Sequence, residues 1–85
     1  MTDEQIREAL LKAIEDDSDY NAMVDRLREQ VIAFREQTIS KKKLLEQLEY
    51  LRAQKRIEDD ERREDAIMDV MDMLVGFISA HSRIE

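Results

Sequence analysis

Apolar residues recur along this chain at helical spacing. Ile6, Leu10, Ala13 and Ile14 fall on one stripe. Tyr20, Val24, Leu27, Val31 and Phe34 follow at intervals of four, three, four and three. That is an a/d seam narrow enough for coiled-coil-like packing, widened at one end by Met23. Leu44, Leu45, Leu48 and Leu51 share one face, and a last apolar set runs from Ile67 to Ile78. The pattern predicts helices over about 3–15, 19–37, 41–56 and 60–82. The expected fold is all-α, with three to four helices in one domain over residues 1–85. They would pack as antiparallel helical hairpins in a bundle with coiled-coil-like packing.

The polar positions mark the ends of these elements. Thr2 and Gln5 form a capping-box pattern, and Asp3 and Glu4 sit in the first turn, where the helix dipole favours acids. The run EDDSDYN, Glu15 to Asn21, is a break in which Asp17 or Ser18 can cap the second helix. Thr38, Ile39 and Ser40 predict a turn or kink, with Ser40 as N-cap and Ile39 and Leu44 as a hydrophobic staple. One unbroken helix through this point is the competing reading. A switch from the basic RAQKR to the acidic EDDE places another junction near 57–60.

The last helix has a wide apolar arc. With Ile67 as origin, Val70, Met71, Leu74, Val75, Phe77 and Ile78 fall within about 80° on either side, and Met68 lies just beyond. Asp65, Asp69, Asp72 and Arg83 gather opposite, with Gly76 among them as an exposed weak point. A one-sided surface helix needs an arc of only about 100°, so this helix is expected to touch at least two neighbours.

Composition supports the helical reading. The chain has no Pro, no Cys and one Gly. Helices avoid Pro and Gly, whereas strands and tight turns use them. The lack of Cys excludes disulfides and thiolate metal sites. Net charge is −7, unevenly placed: −5 over residues 1–40, +4 over 41–56 and −6 over 57–85. An acidic chain is not expected to bind nucleic acid or anionic membrane over its whole surface. The N-terminus is acidic and amphipathic and carries no targeting signal. The most apolar window, 66–80, is broken by Asp69 and Asp72 and is too short to span a bilayer. A soluble cytoplasmic protein without membrane contact is expected.

Little of the sequence resembles catalytic or metal-binding chemistry. His81 is the single histidine and falls on the apolar face. A metal site needs several converging ligands, so an interfacial or helix-end imidazole is the better reading. Asp17-Ser18-Asp19-Tyr20-Asn21 opens like a calcium loop, but Ala22 stands where Gly is needed and Arg28 where the bidentate Glu belongs. EDDERRED reads as a solvated helix surface with pairs such as Glu58–Arg62. There is no nucleophile motif and no phosphate-binding Gly loop, so neither an enzyme nor a cofactor is expected. Lys41, Lys42 and Lys43 run against the dipole at a helix start. With Arg52, Lys55 and Arg56 they form a possible polyanion contact. The preferred structural reading is that these lysines face acids of a neighbouring helix such as EDDSD or EDDE.

The function these features favour is a non-enzymatic helical protein-interaction or oligomerisation module, an adaptor, scaffold or regulator. The expected state is a homodimer with the last helix at its interface. Ile67, Val70, Met71, Leu74, Val75, Phe77 and Ile78 would form that face, its methionines adapting to a partner. The alternatives are a small acidic inhibitor of a nucleic-acid-binding protein, or weak nucleic-acid binding through 41–56.

Overall fold

The computed structural model describes residues 2–15 and 19–75. The described residues form four helices: α1 (Asp3–Ala13), α2 (Tyr20–Glu36), α3 (Lys41–Ile57) and α4 (Glu61–Val75). No strand occurs among the described residues. Asp17, Ser18, Gly76, His81, Arg83 and the expected continuation of the last helix to about 82 lie outside them.

The caps follow local chemistry. Thr2 and Gln5 bond reciprocally, the Thr2 amide donating to Gln5 Oε1 at 2.8 Å and the Gln5 amide to Thr2 Oγ1 at 3.1 Å. α2 is capped by Asp19, whose carboxylate accepts from the Asn21 amide at 3.0 Å. Ser40 caps α3 by accepting from the Lys43 amide at 3.1 Å, so the chain breaks between α2 and α3 and does not run on as one helix. Asp60 accepts from the Arg63 amide at 3.2 Å at the start of α4.

Two turns solve the same problem without glycine. After α2, the Thr38 amide donates to Arg35 O and the Ile39 amide to Phe34 O. After α3, the Asp59 amide donates to Arg56 O and the Asp60 amide to Lys55 O. Both are Schellman closures, which need a left-handed residue just past the helix. Thr38 takes φ 67° and Asp59 φ 59°. Asp tolerates this region, but a β-branched Thr does not do so readily.

The helices form a closed ring in the order α1, α2, α4, α3, each packing on the next, while α1 and α4, and α2 and α3, meet only marginally. α1 and α2 form one antiparallel hairpin, with Arg26 of α2 reaching the carbonyl of Ala13 at the far end of α1. α3 and α4 form the other, with Arg52 facing Glu64 at 3.6 Å. The hairpins meet with α1 parallel to α3, since Asp3 pairs with Lys43 and Arg7 with Gln47. The thinnest extent, 18 Å, accommodates two helix layers spaced about 8–10 Å apart. α2 and α3, though consecutive, are therefore diagonal neighbours joined only by the 37–40 turn.

One core serves all four helices, built from Ile6, Leu10 and Ile14, from Met23, Val24, Leu27, Val31 and Phe34, from Leu44, Leu48 and Leu51, and from Ala66, Ile67, Val70 and Leu74. The expected seam of α2 is buried from Val24 to Phe34, with Tyr20 at its margin. On α3, Leu45 is only half-buried, and Gln47, 6% exposed, occupies the inner face. Its amide oxygen accepts from Arg7 Nε at 2.9 Å, which offsets the cost of burying it.

Relief of the left-handed strain gives a direct test of the turns. Thr38→Gly should raise the unfolding free energy by about 1 kcal/mol, the left-handed penalty exceeding glycine's entropic cost. Asp59→Gly should gain less. Urea midpoints of both variants check this, and a loss of stability in Thr38→Gly would contradict the turn geometry.

Candidate functional site

Three places combine charge, burial and apolar surface. The first is the C-terminal end of α1. The last carbonyls of a helix lack intrahelical partners, and Ile14 is fully buried, so water cannot serve them all. Arginines from two other helices do so. Arg26 Nε donates to Ala13 O at 3.1 Å. Arg63 Nε donates to Ile14 O and its Nη2 to Glu15 O, both at 2.6 Å. Arg63 Nη1 also holds the Asp60 carboxylate at 2.7 Å. Partial burial works against the Asp60 charge, but the side-chain and backbone bonds from Arg63 outweigh it and hold the carboxyl below its ordinary range. The run EDDERRED is thus not simply a solvated face. The expected Glu58–Arg62 pairing does not form, because Glu58 is the C-cap of α3 and pairs with Lys55 at 3.2 Å.

The second place is the α1/α3 seam. Lys43 Nζ lies 2.9 Å from Asp3, and this bond raises the Lys43 pKa above its ordinary value. Arg7 lies over the Tyr50 ring at 4.0 Å from its centroid, a cation–π contact. Of the possible polyanion-binding residues, Lys43, Arg52 and Lys55 are engaged with carboxylates of Asp3, Glu49 with Glu64, and Glu58. Lys41, Lys42 and Arg56 are not ion-paired among the described residues. The lysine run and the Arg52–Arg56 group sit at opposite ends of α3, about 15–20 Å apart at 1.5 Å per residue. They do not make one patch. The acid that meets the lysine run is Asp3 of α1, not EDDSD or EDDE, because α1 and α3 start side by side.

The third place is α4. It has the two neighbours its wide arc calls for, α2 and α3, and both belong to the same chain. Ile67, Val70 and Leu74 of the expected interface are fully buried in the chain's own core. Met71 is half-buried and Val75 44% exposed, while Phe77 and Ile78 lie outside the described residues. The buried side is centred about 50° from the expected axis, toward Ala66, which is also fully buried. The opposite edge, with Met68 at 42% exposure, is left uncovered. Met68 lies beside Arg52, Arg56 and Glu64 on the outer flank of the α3/α4 hairpin, and Leu45 shares the Arg52 edge of α3 by helical spacing.

Asp69 is drawn inward from the acidic back of α4. Tyr20 donates its phenolic hydrogen to Asp69 Oδ2 at 2.6 Å. Burial first, then this bond and the charges of Asp69 and Asp65, push the phenol above its ordinary pKa. No group of three or more His, Cys, Asp or Glu placed to hold a metal ion occurs among the described residues, and none of their helices is long and apolar enough to cross a membrane. No family model, curated protein or solved structure matches the chain.

Two outcomes test this geometry. Arg63→Ala should cost about 1.5–3 kcal/mol, since it strips charge-assisted bonds from the part-buried Ile14 carbonyl and the exposed Glu15 carbonyl. Arg62→Ala, at an exposed neighbour, should stay within about 0.5 kcal/mol. Equal effects in chemical denaturation would contradict the clasp. For Tyr20 the fold favours the neutral phenol, so its contribution is complete below the unfolded pKa of about 10 and is lost as pH rises through the folded value. The stability gap between wild type and Tyr20→Phe should therefore stay constant up to about pH 9 and narrow as the pH rises above about 10. A gap that stays constant there as well would contradict the bond to Asp69.

Proposed function

We propose that the chain is a non-enzymatic helical interaction module that associates with a second copy of itself through the outer flank of the α3/α4 hairpin. The observation that carries this reading is the uncovered edge of α4. Met68 and Val75 are each more than two-fifths exposed, beside the half-buried Met71. The flexible, polarisable thioethers suit a surface that adapts to its partner. Charges of both signs border the edge, Glu49 and Glu64 with Arg52 and Arg56. A patch with both signs can be self-complementary across a two-fold axis.

The size of the face limits its strength. A stable interface covers about 800 Å² on each partner, and the apolar part of this flank amounts to a few side chains. Association in the micromolar range or weaker follows. The basic segment supports a polyanion-binding role less well, with half of its six cations already engaged by carboxylates.

Sedimentation equilibrium over about 5–500 μM should return a mass rising from 10.1 kDa toward twice that value. Met68→Asp combined with Val75→Asp should hold it at the monomer mass with helicity unchanged. A constant monomer mass for the unaltered chain across that range would overturn the reading.

A further inference from the structure

α1 differs from the other helices in how it is held. α2 and α3 are diagonal neighbours, and α4 bridges them on one side of the bundle. α1 fills the apolar valley between them on the other side, inserting Ile6, Leu10 and Ile14. If α1 leaves, α4 still joins α2 to α3; α1 could bridge them in the same way, but it is the shorter of the two, 11 residues against 15, and gives the core three side chains against four. Besides its core side chains and Arg7, which meets Gln47 and Tyr50 near its middle, α1 is tied at each end by polar contacts. They are the half-exposed Lys43–Asp3 pair at one end and the Arg26 and Arg63 bonds to carbonyls at the other. Open clefts border it along both ends. Ala9, Ala13 and Ala33 leave one toward α2, and Ile6, Ile39 and Lys43 line another beside the 37–40 turn.

From this we infer that α1 is an exchangeable helix. It opens as a unit before the rest of the chain unfolds, and the valley between α2 and α3 then accepts α1 of a second copy. At 11 residues, α1 is shorter than the roughly 12–15 needed for even marginal helicity in water, so undocking and unwinding are one event. The acceptor surface already fits its occupant. It presents Lys43 to Asp3, Gln47 and Tyr50 to Arg7, and arginine donors to the last carbonyls. A copy of α1 arriving from another chain remakes the same contacts, which is why exchange of an identical element costs little. This surface is separate from the α3/α4 flank, and the inference does not depend on dimerisation there.

Hydrogen exchange on the full chain tests the opening. Amides of residues 7–14 should exchange at least tenfold faster than the buried amides of α2 and α4, and faster again in Arg63→Ala. A fluorescent peptide of residues 2–15, TDEQIREALLKAIE, tests the acceptor. It should bind the full chain saturably, and Leu10→Asp in the peptide should abolish binding. Binding should persist in the chain carrying Met68→Asp and Val75→Asp, which separates this surface from the flank. The inference is overturned if α1 exchanges only at the rate of global unfolding, or if the peptide shows no saturable binding or binds equally well with Leu10→Asp. A dimer whose α1 never opens would likewise overturn it while leaving the flank reading intact.

Discussion

The carbonyl groups at the end of α1 are the constraint on which the arrangement of this chain turns. A helix whose end is partly buried must find donors for oxygens its own backbone does not serve. Ile14 is fully buried. Arg26 and Arg63 supply the donors from α2 and α4. Their positive charge also suits the negative pole of α1. The clasp ties the end of the first hairpin to the start of α4. With α1 lying parallel to α3, the ring of four helices is closed and α4 is set between α2 and α3.

That position decides what becomes of the most apolar helix. Packed against two neighbours, α4 surrenders Ile67, Val70 and Leu74 to the chain's own core. Among the described residues, what stays exposed of its apolar arc is an edge, Met68 and Val75 with part of Met71. The charge pattern follows the same geometry. The basic middle of the sequence becomes one helix, α3, with acidic partners on both sides of it, Asp3 from α1 and Glu64 from α4. A sequence-level excess of +4 is thereby partly neutralised within the molecule.

Much of this was legible from periodicity and caps. The helix positions, the reciprocal Thr2–Gln5 box and the Ser40 cap all follow from side-chain chemistry local to a few residues. So does the expectation that α4 needs two neighbours. What local chemistry does not carry is which helix supplies which partner. Gln47 reads as one polar residue on a leucine-rich helix, and only Arg7, 40 positions away, makes its burial tolerable. Arg63 reads as one charge among the eight residues of EDDERRED, and its role depends on carbonyls 48 and 49 positions earlier. The turns at Thr38 and Asp59 carry no glycine, so the usual marker of a left-handed helix stop is missing there. The apolar edge at Met68 followed from the wheel only approximately, because the axis of burial is set by where α2 and α3 lie.

The ring order and the clasp stand or fall together, and nuclear Overhauser contacts in the full chain test both at once. The account predicts contacts from the Arg63 side chain to Ile14 and Glu15, from Asp3 to Lys43, and from α4 core side chains to both α2 and α3. Side-by-side contacts along the whole length of α2 and α3, with the Arg63 side chain remote from α1, would contradict it.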